Sequence, residues 1–438
     1  MINSSNWQQY YESRLISAED ALKKIKPGSR VILGHCVGEP AGLVEVMVKN
    51  KDWFRDIEIV HMVAMGKGQY TLPEMEGYFK HNSFFVGTCT RDSVFKGFAD
   101  YTPCFFHEVP KVFRSKGFKL DVALVQVTPP DKFGYISLGV SADYTVAAVQ
   151  EADIVIAQVN ENMPKTYGDT YIHISEVDYF VEITEPLIEL IPSKITDIEK
   201  KIGENCASLI ENGSTLQLGI GSIPDAVLIF LKDKKDLGIH SEMLSDGVID
   251  LIEQGIVNNR CKTLHKGKSI VSFIMGTKKL YDYIDDNNSI EMHVVDYIND
   301  PTVIMKNYRM VSINSCVQVD LMGQVASESI GLKQISGVGG QVDFVRGASM
   351  ADGGKSIIAI SSTAAGGKIS KIVPFLDQGT AVTTSRNDVD YIITEYGIAH
   401  LKWKTLRQRA KLLIDIAHPD FRPMLIEEWE KRFRRSFE

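Results

Sequence analysis

The sequence predicts an α/β fold made of two similar halves, each built on an open and mostly parallel sheet. Three observations lead to this prediction: strand-length segments that are apolar on both faces, helical patterns that lie between them, and an internal repeat. Strands covered by helices on both faces form continuous apolar runs rather than alternating ones. Helices that alternate with such strands are typical of parallel sheets.

Four segments show the apolar pattern most clearly. They are DVALVQVT (121–128), ADIVIAQV (152–159), SIIAI (356–360) and DYIITE (390–395). Helical patterns such as DAVLIFLKDKK and GVIDLIEQG lie between segments of this kind. At 438 residues, the chain is also too long for one ordinary hydrophobic core. We therefore expect two α/β domains.

Two stretches of the sequence resemble one another. ALKKIKPGSRVILGHCVGEPAGLV (21–44) and CASLIENGSTLQLGIGSIPDAVL (206–228) follow the same plan: a helical pattern, a Gly-Ser turn, a short strand, a Gly-containing loop and a Pro. A Pro at such a place can open a helix. The turn glycines, Gly28 and Gly213, are 185 residues apart. A repeat of this length predicts that each half folds into a similar domain.

The junction between the halves is predicted in the segment 185–203. There, Pro186 and Pro192 interrupt the pattern of helices and strands. The predicted domains are residues 1–190 and residues 191–438, and the second carries the candidate catalytic glutamate that is described below.

Bulk composition argues against several classes of partner. The formal net charge is −8 with acids and bases mixed along the chain, so no basic block predicts nucleic-acid binding. The six cysteines form no CxxC pair, which argues against a zinc site or a disulfide framework and suits a reducing compartment. The sequence shows no 18-residue apolar run and no signal-peptide pattern. We therefore expect a cytoplasmic protein with no membrane partner.

The most distinctive local motif is LQLGIGSIPDAV, in which a strand leads through a glycine loop into a helix. The loop consists of Gly219, Ile220, Gly221, Ser222 and Ile223. Glycines let the backbone approach a ligand closely, and the free N–H groups at a helix N terminus attract an anion. The motif predicts an anion-binding loop, with a purely structural turn as the alternative.

Glu242, in LGIHSEMLSDG, lies where a short extended run meets a turn. It is a candidate nucleophile, a candidate ribose ligand in a dinucleotide fold, or a solvated surface acid. A dinucleotide fingerprint requires an acid about 20 residues after its glycines, and Glu242 lies 21 residues after Gly221. Against this hypothesis, Pro224 stands where the third glycine of the fingerprint belongs. An NAD-dependent dehydrogenase remains an alternative.

A second glycine loop lies in SGVGGQVDFVRGA (336–348), which includes Gly339 and Gly340. Such a loop can direct consecutive backbone N–H groups at an oxyanion. Arg346, a few residues later, is a candidate contact for a phosphate or carboxylate. The alternative is a flexible turn between a helix and a strand.

Three side chains of the first half are candidates for a substrate pocket. His35 and Glu39 lie in GHCVGEP, the loop that the repeat pairs with the loop at 219–224, and Tyr70 follows the glycines of GKGQY. The alternative for each is a structural role in the core. The sequence contains no GxSxG, GxxxxGK[ST] or HExxH motif and no metal-like histidine spacing. Serine hydrolase, nucleotide kinase and zinc enzyme hypotheses therefore lack support, and no metal is expected.

Together, these motifs resemble those of the acetyl-CoA hydrolase/CoA-transferase family. The matching segments, in chain order, are GHCVGEP, LQLGIGSIPDAV, GIHSEMLSDG, YINDPTVI, SGVGGQVDFVRGASM and AVTTSRNDVDYIITEYGIAHL. The resemblance covers nearly the whole chain. It implies two similar open α/β domains, which agrees with the repeat. One departure is Trp403, where the family often has Gly in LKGK.

The resemblance implies that Glu242, in the HSE motif, is the nucleophile. It also implies that the loop at 219–223 contacts CoA. Further implied CoA and oxyanion contacts are Asn299 of YINDP, Gly339 and Gly340. Gln217 is a candidate for the substrate pocket and a further candidate for the oxyanion.

The activity that the resemblance implies is acyl-CoA:carboxylate CoA transfer among short acids such as 4-hydroxybutyrate, butyrate and acetate. The transfer would be ping-pong, through a glutamyl-CoA thioester on Glu242. CoA is then a co-substrate, and no tightly bound cofactor is expected. The alternatives are an acyl-CoA hydrolase on the same scaffold and a non-catalytic protein that binds CoA or acids. A homodimer is expected, because most such enzymes are closed homo-oligomers.

Overall fold

The computed structural model describes residues 7–437, which form two compact units. The first unit comprises the described residues up to Leu190 together with Ile270–Ile298, and the second comprises Ile191–Ser269 and the described residues from Asn299 onward. Among the helices of residues 7–437, none has the length and apolarity that crossing a bilayer requires.

The helices of the described residues are mostly short. The α-helices are α1 (Trp7–Arg14), α2 (Ala18–Leu22), α3 (Ala41–Lys49), α4 (Arg91–Phe95), α5 (Val109–Phe113), α6 (Thr145–Glu151), α7 (Asp197–Ser208), α8 (Ser222–Ile229), α9 (Gly247–Glu253), α10 (Lys278–Ile284), α11 (Val295–Ile298), α12 (Pro301–Ile304), α13 (Gln341–Met350), α14 (Leu406–Asp415) and α15 (Arg422–Phe433). Single turns of 3-10 helix lie at Lys51–Trp53, Gln69–Thr71, Pro73–Met75, Phe106–Glu108, Ile174–Glu176 and Pro419–Phe421.

The strands include the four predicted apolar segments. They are β1 (Arg30–Leu33), β2 (Ile57–His61), β3 (Phe79–Ser83), β4 (Ala99–Tyr101), β5 (Val122–Val127), β6 (Tyr135–Ser137), β7 (Ile154–Val159), β8 (Tyr167–Gly168), β9 (Tyr171–His173), β10 (Tyr179–Glu182), β11 (Thr215–Leu218), β12 (Gly238–Ile239), β13 (Met243–Leu244), β14 (Ser269–Val271), β15 (Phe273–Ile274), β16 (Ile290–Met292), β17 (Met310–Ser315), β18 (Gln318–Asp320), β19 (Val325–Ala326), β20 (Ser329–Ile330), β21 (Lys333–Gln334), β22 (Lys355–Ala359), β23 (Thr363–Ala364), β24 (Ile369–Ser370), β25 (Ile372–Val373), β26 (Tyr391–Thr394) and β27 (Gly397–His400).

A parallel sheet of seven strands forms the centre of the first unit, in the order β10-β7-β5-β1-β2-β3-β4. Central strands are in register through apolar pairs, such as Val31 with Ile59 on one side and with Val122 on the other. Strand β5 is buried along its whole length. This burial on both faces is the reason its sequence is apolar at nearly every position.

The sheet of the second unit has the order β12-β11-β17-β22-β26-β27. Its first five strands are parallel, and β27 runs antiparallel to β26. The loops after β11 and β12 therefore leave from the same edge of the sheet. In open α/β sheets, ligands bind outside this carboxyl edge.

The two sheets share a core of five strands with the same order. Numbered by their appearance in the chain, the strands β2-β1-β5-β7-β10 and β12-β11-β17-β22-β26 both follow the order 2-1-3-4-5. Strands β1 and β11 are the strands within the two copies of the sequence repeat, and each occupies the same position in this order. The predicted α/β class, with two similar and mostly parallel sheets, is confirmed.

The segment Ile270–Ile298 belongs to the first unit although it follows much of the second in the chain. Its strand β16 pairs in parallel with Tyr167–Gly168 of the first unit. The predicted domains, residues 1–190 and residues 191–438, differ from the observed units in this segment. The reason is that its strand partner lies far away in the sequence, where no local pattern indicates it.

Trp403, the departure from the family pattern, is 88% exposed and has a φ of 60°. Side chains other than Gly are disfavoured in this left-handed conformation, so a glycine fits the position without strain. The indole contacts the Lys402 ammonium, which lies 5.2 Å from the ring centroid.

Candidate active site

Glu242 lies just beyond the carboxyl end of an edge strand of the second sheet. It follows β12 at a bend and precedes β13, and its side chain is half-buried. The buried amide of Asn299 donates from Nδ2 to Glu242 Oε2 at 2.7 Å. A hydrogen bond to an ionised carboxylate is short and strong. It fixes the Glu242 side chain in one orientation.

Gly340 lies against this pair. A Cβ placed on Gly340 would overlap with Glu242 Oε2 and with Asn299 Nδ2. Its φ is −96°, which any residue adopts, so it is the space and not the backbone conformation that requires glycine here. The preceding Gly339 has a φ of 53°, a conformation that favours glycine. The structure therefore brings three predicted site residues, Glu242, Asn299 and Gly340, into one cluster.

The glycine loop at 219–223 lies beside the Glu242 loop. Ser241 joins the two loops, because its Oγ accepts from the Leu218 N–H at 3.3 Å and lies 3.2 Å from the Leu218 carbonyl oxygen. Gly221 has a φ of 110°, and helix α8 starts at the next residue. Ser222 and Ile223 form the first turn of α8, and Ile220 is 41% exposed at the tip of the loop.

Gln217 is buried in β11 and pairs with Asn314 of the neighbouring strand β17. The two amides donate to each other, with N–O distances of 3.3 and 3.1 Å. Arg346, on α13, pairs with Asp388 at 3.3 Å. The predicted contacts of Gln217 with a substrate or an oxyanion, and of Arg346 with an anion, stay predictions.

His35 is buried in the first unit within a polar network that sequence analysis missed. Its Nδ1 lies 2.8 Å from Asp143 Oδ2, and its Nε2 lies 3.1 Å from Cys36 Sγ. Ser141 Oγ donates to the same Asp143 oxygen at 2.6 Å. The carboxylate orients the imidazole by accepting its Nδ1 proton. Asp143 lies in the apolar stretch SADYTVAAV, and a single acid in such a stretch is the signal that could have identified it.

Glu39 is buried in the loop between β1 and α3 that also contains His35. Its Oε2 accepts the N–H groups of Met65 and Gly66 at 3.1 and 2.9 Å. Burial raises the pKa of the Glu39 carboxyl above its usual range, although the two N–H donors act in the opposite direction. Glu39 also lines a pocket of about 420 Å³ together with Glu185.

Tyr70 is part of the hydrophobic core of the first unit. Its hydroxyl lies 3.3 Å from His61 Nδ1, and burial raises the pKa of the hydroxyl well above its usual value. His35, Glu39 and Tyr70 are thus all buried within the first unit. Their contribution to a substrate pocket stays a prediction.

We expect Glu39→Gln to make the stability of the protein less dependent on pH. Because the folded-state pKa of Glu39 is raised, the contribution of this carboxyl to stability is greatest when it is protonated. This contribution is lost as the pH rises from the pKa of the unfolded state through that of the folded state. Gln keeps an oxygen for the two N–H donors and cannot ionise. Urea unfolding at about pH 5 and about pH 8 measures the free energy of unfolding. The difference between the variant and the native protein should shift in favour of the variant at the higher pH.

The surface substitution Glu74→Gln serves as the control, because this exposed residue of the same unit should leave the pH dependence unchanged. If Glu39→Gln and native protein lose stability in parallel between the two pH values, the burial of an ionisable Glu39 is not what sets this dependence.

Comparison with known protein families covers both units. Residues 1–192 match the acetyl-CoA hydrolase/transferase N-terminal domain, and residues 276–429 match the acetyl-CoA hydrolase/transferase C-terminal domain. The chain belongs to the acetyl-CoA hydrolase/transferase family. The resemblance that the motifs indicated is therefore confirmed.

Relatives of this acetyl-CoA hydrolase/transferase chain match it over nearly its full length. The 4-hydroxybutyrate coenzyme A transferase of Clostridium kluyveri is 64% identical over 98% of this chain and 100% of its own. The butyryl-CoA:acetate CoA-transferase of Anaerostipes caccae is 39% identical over 98% and 99%. The crystal structure of 4-hydroxybutyrate CoA-transferase from Porphyromonas gingivalis superimposes with a TM-score of 0.85 at 47% identity, over 98% of this chain and 100% of that one.

These relatives are CoA-transferases, and the chain is an enzyme of that class. The alternative of an NAD-dependent dehydrogenase, with Glu242 as a ribose ligand, is therefore not supported. The 21-residue spacing from Gly221 to Glu242 instead reflects two loops that leave neighbouring strands, β11 and β12, of one parallel sheet.

Proposed function

We propose that the chain is an acyl-CoA:carboxylate CoA-transferase that uses Glu242 as its covalent nucleophile. The observation that carries the proposal is that the Glu242 carboxylate is held in place by its neighbours. Asn299 fixes one oxygen of Glu242, and Gly340, which has no side chain, makes room for that oxygen and for the Asn299 amide. A carboxylate that is fixed, half-buried and next to a glycine loop suits attack on a carbonyl group.

The proposed chemistry conserves the energy of the thioester. A Glu242 oxygen attacks the acyl-CoA carbonyl, and the C–S bond breaks. CoA departs as the thiolate, and Glu242 and the acyl group are joined as a mixed anhydride. The thiolate then attacks the glutamyl carbonyl, which forms the glutamyl-CoA thioester and releases the first acid as its carboxylate. A second carboxylate reverses these steps and departs as the new acyl-CoA. No proton transfer is needed in these steps, so they require no histidine base.

Each step passes through a tetrahedral oxyanion, which hydrogen-bond donors would stabilise. The proposed donors are the backbone N–H groups of Gly339 and Gly340 and the amide of Asn299, with Gln217 as a further candidate. One such donor typically contributes about 3–4 kcal/mol to transition-state stabilisation. The loop from Gly219 to Ile223 is proposed to bind CoA, whose remote contacts supply energy to the reacting thioester.

The proposed substrates are 4-hydroxybutyrate or butyrate, exchanged against acetyl-CoA or acetate. The 64% identity to the 4-hydroxybutyrate enzyme of Clostridium kluyveri supports the first acid, and the butyryl-CoA:acetate enzyme of Anaerostipes caccae supports the second. Coenzyme A enters as a co-substrate. We further propose that the enzyme works in the cytoplasm as a homodimer, the commonest closed assembly.

Acetate dependence tests the proposal. We expect purified enzyme to consume butyryl-CoA or 4-hydroxybutyryl-CoA only when acetate is present and to form acetyl-CoA in equal amount, because the proposed mechanism requires that water be kept from the anhydride and the thioester. The measurement is chromatographic separation of the CoA esters, with free thiol titrated in parallel.

The family description also includes hydrolases, so the same assay must distinguish hydrolysis from transfer. Release of free CoA at the same rate without acetate would indicate an acyl-CoA hydrolase. Binding of acyl-CoA with neither exchange nor release would indicate a binding protein and would contradict the proposed catalysis.

A further inference from the structure

Strand β12, which leads to Glu242, lies at one edge of the second sheet. On its inner side it pairs with β11, where the N–H groups of Gly238 and His240 donate to the carbonyls of Ser214 and Leu216 at 2.9 and 3.1 Å. The backbone groups of Ile239 therefore point to the outer side. An edge strand leaves such groups without a neighbouring strand, and buried backbone groups need partners.

Two side chains supply the partners at this outer edge. Asn259 Oδ1 accepts the N–H of Ile239 at 2.9 Å, and Lys262 Nζ donates to the carbonyl of Ile239 at 2.6 Å. Both come from the loop that follows α9. Side chains of this loop thus take the place of a missing strand next to Ile239.

Both side chains are themselves held in place. Lys262 Nζ donates a second hydrogen bond to the Lys268 carbonyl at 2.7 Å, and Asn259 Nδ2 donates to Ser269 Oγ at 3.0 Å. Lys262 is 1% exposed and Asn259 is 4% exposed. A Cβ at Gly238 would overlap with the aliphatic part of the Lys262 side chain. The absence of a side chain at Gly238 therefore makes room for Lys262 beside the strand.

A fully buried lysine is uncommon, because removing an ammonium from water is costly unless it is well hydrogen-bonded. Lys262 makes two of its hydrogen bonds to backbone carbonyls, and one of these lies three residues before Glu242. Only His240 and Ser241 separate Ile239 from Glu242, so a shift of the Ile239 backbone lies close enough in the chain to move the Glu242 loop.

We propose that Lys262 and Asn259 are positioning residues for catalysis. By fixing both backbone groups of Ile239, they set the position from which Glu242 is presented to the acyl-CoA carbonyl. This inference rests on the proposed function, since it assigns a role to the residues that hold the proposed nucleophile. Neither residue touches the reacting atoms in the proposed mechanism.

The test uses two variants that remove one hydrogen bond to Ile239 each. Lys262→Met keeps an unbranched stem without the donor, and Asn259→Gly removes the acceptor while suiting the φ of 60° at this position. We expect kcat for CoA exchange to fall about 30- to 100-fold in each, because small misplacements of a reacting group have effects of this size. KM for acyl-CoA should stay within about threefold, since the loop at 219–223 is unchanged.

Lys266→Met is the matched control, because this exposed lysine lies in the same loop. All variants are assayed well below their melting temperatures. A fall in melting temperature with native kcat in either folded variant would show that the two side chains stabilise the fold only, and would overturn the inference. If Lys262→Met does not fold, the kcat and melting temperature of Asn259→Gly decide whether the inference holds. Absence of exchange in the native enzyme would instead contradict the proposed function.

Discussion

Replacing Glu242 by Gln is expected to lower the rate of CoA exchange by on the order of 10⁴-fold or more, as the loss of a covalent nucleophile does in other enzymes. An amide oxygen is a poor nucleophile and cannot form the acyl anhydride. Gln still offers an oxygen to the Asn299 donor, so we expect the fold to be retained. The measurement is acetate-dependent exchange of butyryl-CoA, together with a melting curve.

A chemical trap identifies the intermediate directly. Borohydride added to the native enzyme with acyl-CoA should reduce a glutamyl thioester to an alcohol. The peptide that contains Glu242 should then lose the mass of one oxygen and gain that of two hydrogens. The variant and the enzyme without acyl-CoA should show no change. Glu253→Gln, an exposed acid at the end of α9, is the control substitution. Full exchange by Glu242→Gln would rule out this residue as the nucleophile.

Gly340→Ala is expected to reduce kcat/KM by about 100- to 1,000-fold, the cost of displacing reacting and oxyanion-binding groups. The added methyl group would overlap with Glu242 Oε2 and Asn299 Nδ2, so either the carboxylate or the glycine loop must move. The backbone tolerates Ala at a φ of −96°, and we therefore expect the variant to fold. Steady-state kinetics of acetate-dependent exchange and a melting curve measure the two effects.

Gly117→Ala is the matched control, because the new methyl group would meet no atom within 4 Å. It should exchange CoA at the native rate. Native activity in Gly340→Ala would mean that the Glu242 carboxylate lies elsewhere during catalysis. In the double variant with Glu242→Gln, the two effects should not add, because both act on the same carboxylate.

Sequence patterns led to much of the fold because the relevant physics is local. Apolar runs such as residues 122–127 must be covered on both faces, and this requirement alone indicates parallel strands between helices. The repeat around Gly28 and Gly213 indicated a second sheet of the same kind, and the shared strand order agrees. The boundary of the units was less accessible to sequence analysis. The segment 270–298 joins the first unit through strand pairs that link distant residues.

The candidate site divides in the same way. Sequence motifs identified Glu242, Asn299 and Gly340 as candidate site residues, but they did not indicate that these residues contact one another. The carboxylate–amide hydrogen bond joins residues 57 positions apart, and the space that requires glycine at 340 exists only beside them. Lys262 lies in the polar loop NNRCKTLHKGK, where nothing in the sequence distinguishes it from its exposed neighbour Lys266.

The sequence by itself determined the α/β class, the two similar sheets, the family and the residue types that carry the proposed chemistry, because apolar periodicity and short motifs act over a few residues. Only the tertiary structure decided which strand forms the edge next to Glu242 and which side chains complete that edge. It also decided which acids are buried, Asp143 and Glu39 among them. The physical reason is that burial and hydrogen bonding depend on what the chain brings together across long separations, and each buried polar group must find its partner there.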